Sequence, residues 1–74
     1  MNKTTHRKIG RALRDLRKQR GFTQEQLAAA SGVLVRNLIR YELDQVSPKV
    51  DTVFRIIGVF GVSGSAFFSE VERN

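Results

Sequence analysis

Arg36 and Arg40 stand four residues apart in the stretch VRNLIRYEL, a spacing that puts two guanidinium groups on one ridge of a helix. Each group can bond both acceptors on the major-groove edge of guanine, a contact that discriminates between bases by about 1–3 kcal/mol; an exposed arginine with nothing to read is simply solvated. A second basic set, Arg7, Arg11, Arg14 and Lys18, falls on one stripe of the N-terminal segment and forms either a solvated face or a phosphate-contacting one. No catalytic constellation accompanies these cations. The single histidine, His6, lies in a charged stretch, no paired acids share a plausible pocket, and the absence of cysteine excludes the usual Cys/His zinc site. Gly58, Gly61 and Gly64 follow no strand and precede no Lys-Ser/Thr pair, so they form neither a dinucleotide loop nor a P-loop. The expectation is a chain that is not an enzyme and that needs no metal and no cofactor.

Thirteen Lys and Arg against seven Asp and Glu leave a net charge of +6 on 74 residues, and eight of the basic side chains lie within residues 1–20 beside a single acid. Such an excess implies a polyanionic partner. The length suits one domain, residues 1–74, with no room for a ligand domain. Without disulfides, a core this small depends on regular helix packing or on oligomerisation. No apolar run is long enough to span a membrane and no secretory signal is evident, which predicts a cytoplasmic protein. The basic N-terminal helix has an apolar stripe only three residues wide, which the core needs, so no membrane partner is expected.

The elements that position the arginines follow from periodicity. Ile9, Leu13 and Leu16 recur at helical spacing over about residues 5–20, with Thr4 or Thr5 able to cap the start and Gly21 ending the segment. Thr23 with Gln26 forms a capping box for a short helix over about residues 24–31, whose buried face is Leu27 and Ala28. Gly32 supplies a tight turn. A third helix over about residues 35–43 points Leu38 and Tyr41 inward and leaves Arg36, Ile39, Arg40 and Leu43 outward. Pro48 redirects the chain into a fourth helix over about residues 50–60, with Val53, Ile56, Ile57 and Phe60 inside, and Ser63 caps a fifth over about residues 64–71. No stretch alternates long enough to be a strand, so the fold class is all-α, a compact five-helix bundle containing a helix-turn-helix over about residues 24–43.

Arg17 with the run from Arg20 to Ala28, then Gly32-Val33, Leu38, Tyr41-Glu42, Pro48 and the run from Phe60 to Ser63, resembles the phage repressor and Cro type (XRE-like) of helix-turn-helix transcriptional regulator, restriction-modification controllers included. The match spans roughly residues 9–68. The resemblance implies a lambda-repressor-like DNA-binding domain that acts as a homodimer on double-stranded DNA. It implies that Thr23 and Gln24, at the start of the second helix, meet a DNA phosphate, where unpaired amides and the helix dipole favour an anion. It implies that Val35, Arg36, Asn37 and Arg40 occupy the recognition helix, with Ile39 on the same outward face. It also implies an ion pair between Arg17 and Glu42.

Three features depart from the family pattern. Leu34 stands where a capping Ser or Thr is frequent, Asp44 where a Gly commonly follows the helix, and Ile39 and Leu43 make the outward face more apolar than usual. Those two side chains suit thymine methyl groups or a protein contact. The second option keeps open a different function, a protein-interaction module such as an antitoxin or adaptor on the same scaffold.

Beyond Pro48 the large apolar residues outnumber one inner face. Phe54 is expected to point away from the core, Phe67 and Phe68 not both to face inward, and Val71 to continue their ridge. These four side chains, within a dimerisation region of about residues 50–72, predict a symmetric homodimer and hence a palindromic operator.

Overall fold

Ile9, Leu13 and Leu16 give the first helix, α1 (Asn2–Gln19), an apolar side, and Leu13 at its centre is completely buried. The computed structural model describes residues 2–73, with side chains for residues 9–72, and holds five helices and no strand among them. Because α1 begins at Asn2, Thr4 and Thr5 lie inside the helix and do not cap it. Arg7, the first member of the basic stripe, lies outside the described side chains. The helix ends where Gly21 takes the left-handed conformation and the Phe22 amide donates back to the Arg17 carbonyl at 3.1 Å.

The capping box forms as the sequence predicts at the start of α2 (Gln24–Ser31): Thr23 Oγ1 accepts from the Gln26 amide at 3.0 Å, and Gln26 Oε1 accepts from the Thr23 amide at 2.9 Å. Gly32, at φ +76°, turns the chain into α3 (Val35–Glu42), whose N-cap residue Leu34 offers no side-chain acceptor. This helix stops a residue earlier than its apolar pattern suggests. Asp44 supplies the left-handed residue here, at φ 61°, and the Gln45 amide closes onto the Arg40 carbonyl at 3.0 Å. Next come α4 (Val50–Val59) and α5 (Gly64–Arg73), the latter started by Ser63 Oγ accepting from the Ala66 amide at 3.1 Å.

α1 packs against α3 on one side and α5 on the other, α2 fills the space between α3 and α4, and α4 contacts α5. Leu13, Leu27, Leu38, Val53, Ile56 and Ile57 form the centre of the resulting core. At Gly10 the crossing of α1 over the end of α3 leaves no room for a side chain, because an added Cβ would overlap the Tyr41 carbonyl oxygen. The two interhelical turns at the opposite end are tied by Arg20, which donates to the Phe60 carbonyl at 3.1 Å, and by the edge-to-face contact of Phe22 with Phe60.

The C-terminal helix corrects one expectation. Phe67 and Val71, one turn apart, are only 4% and 2% exposed and belong to the core of a single chain, so they do not form an outward ridge. Docking of α5 on α1 turns their shared face inward, and Phe68, rotated by about 100° from Phe67, is left half-buried. Phe54 does point outward, 49% exposed, with its ring edge-on to Phe68 and resting against Gly64.

Candidate nucleic-acid interface

Packing Leu38 into the core fixes the rotation of α3 and so decides what its other side presents. Arg36 and Arg40 are both exposed, one turn apart, and neither makes an ion pair among the described residues. Val35 is exposed at the first turn, while Asn37 and Ile39, on either side of Leu38, are half-buried. Leu43, just past the helix, is exposed. The expected recognition residues therefore share α3, with the two arginines fully presented and Asn37 and Ile39 only partly so.

The start of α2 lies beside the end of α3. Gln24 is half-buried there and donates from Nε2 to Glu42 Oε1 at 3.1 Å. Glu42 is also the partner of Arg17: Nε donates to Oε2 at 2.8 Å, Nη2 donates to Oε1 at 3.0 Å, and Nη1 reaches the Phe22 carbonyl at 2.8 Å. The pair is buried, with side-chain exposures of 10% and 2%. Hydrogen bonding to the Glu42 carboxylate raises the Arg17 pKa above the ordinary arginine value, outweighing the burial that would lower it. No buried side-chain polar atom among the described residues is left without a hydrogen bond.

Arg14, Lys18, Thr23, Gln24, Glu25 and Leu43, together with this ion pair, line a cleft of about 480 Å³. Arg14 and Lys18 outnumber the acid Glu25 beside a helix N-terminus whose dipole carries a partial positive charge, features that favour an anion such as phosphate regardless of base sequence. The sequence alone missed the bond from Gln24 to Glu42, which links residues 18 positions apart with no local signature. It also missed Gly10, although a glycine inside an amphipathic helix is a signal of close packing.

A capped short helix, a glycine turn and a second helix with an exposed basic face define a helix-turn-helix. The chain belongs to the helix-turn-helix family, whose profile matches residues 13–67, and this is a family of DNA-binding transcriptional regulators, not of enzymes. It is 38% identical over 64 residues to the HTH-type transcriptional regulator PuuR of Escherichia coli, covering 86% of this chain and 35% of PuuR. Over 62 residues it is 36% identical to the cryptic phage CTXphi transcriptional repressor RstR of Vibrio cholerae, covering 84% of this chain and 56% of that repressor. It is 31% identical over 55 residues to the HTH-type transcriptional regulator ImmR of Bacillus subtilis, covering 74% of this chain and 43% of ImmR. The chain thus spans between about a third and just over half of the length of these relatives. No solved structure matches it significantly. No single helix among the described residues is long and apolar enough to cross a membrane.

Proposed function

We propose that the chain is a sequence-specific double-stranded DNA-binding regulator of transcription, folded as one domain over residues 1–74 and acting in the cytoplasm. The observation that carries this reading is the exposed pair Arg36 and Arg40 on α3, set beside the cationic cleft at the start of α2. Gln24 and Thr23 hold a phosphate there, Arg14 and Lys18 add charge, and α3 enters the major groove with Val35, Arg36, Asn37, Ile39 and Arg40 toward the bases.

The active form is a homodimer on a palindromic operator. The apolar surface that supports it is smaller than the sequence suggests: Phe54, the half-buried Phe68 and Val50 one turn before Phe54. Two-fold pairing would set the recognition helices about 34 Å apart, one turn of the duplex. Leu43 supports a second reading, an interaction module for another protein, since it is exposed at the edge of the outward face. Its place in a cationic cleft favours DNA.

The test is binding to a duplex selected by the protein from a random-sequence library, with an unselected duplex as control. Specific binding should exceed control binding by about a thousandfold or more and weaken steeply with salt, by about 0.9 in log-log slope per phosphate contact. Equal affinity for both duplexes, or a flat salt response, would overturn the reading.

A further inference from the structure

Leu34 and Val35, at the start of α3, are 63% and 37% exposed, and Leu34 occupies an N-cap position at which it forms no side-chain hydrogen bond. A Ser, Thr, Asp or Asn there would satisfy a first-turn amide and stabilise the helix. The chain instead sets two branched aliphatic side chains in water at the tip of its outward helix. We propose that Leu34, with Val35 beside it, reads the 5-methyl group of thymine in the major groove, so that the residue preceding α3 is a determinant of sequence preference. The inference rests on the DNA-binding reading above and specifies which base its helix tip selects.

Thymine alone presents an apolar group on the major-groove edge, and an aliphatic side chain against it removes apolar surface of both partners from water. The arginines Arg36 and Arg40 suit guanine acceptors, so cationic and aliphatic side chains on one helix match the two chemically different groups that the groove offers. Patch size separates this partner from a protein. Two side chains followed directly by Arg36 fall far short of the roughly 800 Å² per partner that a stable protein interface buries, yet they match one or two methyl groups. Leu43, the other strongly exposed leucine near α3, lies about 13 Å away along the axis and lines the cationic cleft.

The experiment replaces each thymine of a library-selected duplex by deoxyuridine, which deletes the methyl group and nothing else. Affinity is measured for the natural chain and for Leu34→Ser, a change that adds a helix cap and so preserves the fold. At one or two thymines per half-site the natural chain should lose about three- to tenfold, near the value of one methyl group, and Leu34→Ser should lose clearly less than the natural chain at one of them or more. Deoxyuridine tolerated everywhere would overturn the methyl reading, and an equal loss in both proteins would assign it to a side chain other than Leu34; either outcome overturns the role of Leu34 while leaving DNA binding intact. Failure to enrich any duplex would remove the DNA-binding reading itself and this inference with it.

Discussion

Arg17 on α1 grips Glu42, the last residue of α3, through two parallel hydrogen bonds of 2.8 and 3.0 Å, and the same carboxylate holds Gln24 at the start of α2. One acid therefore joins three helices directly beneath the candidate phosphate site. Removing it strands a buried guanidinium, so Glu42→Ala should cost about 3–5 kcal/mol, a large share of the roughly 5–15 kcal/mol that holds a domain together. Chemical denaturation of the variant checks this; an unchanged midpoint would refute a structural role.

The pair should stay formed through the neutral range. A cation whose folded pKa is raised contributes its stability fully below the unfolded value, which for arginine lies far above neutrality, and loses it only as pH rises through the still higher folded value. Between about pH 6 and 9 the stability difference between the natural chain and Arg17→Ala should be flat, and a slope there would indicate another titrating group.

At Gly10 the backbone of α1 approaches the Tyr41 carbonyl too closely for any Cβ. Gly10→Ala must push α1 off α3 and should destabilise the fold by about 1–3 kcal/mol, despite the better helix propensity of alanine. Thermal unfolding of the purified variant measures it, and a gain in stability would show that the helices can separate freely.

Leu34→Ser should have the opposite sign. It supplies the acceptor missing at the start of α3 and gives up little packing, because Leu34 is mostly exposed. A gain of about 1 kcal/mol is expected in urea unfolding, and a loss would mean that Leu34 packs against α3 more than its exposure indicates.

Variants of the two helices should separate positioning from base reading. Arg14→Ala should weaken binding to all duplexes alike and reduce the salt slope by about one, whereas Gln24→Ala, which removes no charge, should weaken all duplexes without changing the slope. Arg36→Ala and Arg40→Ala should each cost about 1–3 kcal/mol on the selected duplex and relax its sequence preference. Parallel losses on selected and unselected DNA for all four would mean that α3 does not read bases.

Phe54→Lys places a charge in the centre of the exposed patch beside Phe68 without touching the core. If the proposed homodimer uses this patch, the variant should remain folded, sediment at a lower mass than the natural chain at equal concentration, and bind specific DNA about tenfold or more weakly. An unchanged mass would place the interface elsewhere.

Local chemistry was legible in the sequence because it needs only near neighbours. The capping box at Thr23 and Gln26, the turn at Gly32, the left-handed tolerance of Asp44 and the ridge of Arg36 and Arg40 depend on residues within a few positions, and each forms as read. Five helices and their order followed from the same local periodicities. Tertiary structure decided what periodicity leaves open, namely which side of each helix meets which neighbour. Phe67, Phe68 and Val71 are equally apolar in sequence, and only the docking of α5 on α1 sends Phe67 and Val71 inward. The close approach at Gly10 and the bond from Gln24 to Glu42 likewise join segments distant in the chain, so they exist only once packing has fixed the rotation and spacing of the helices.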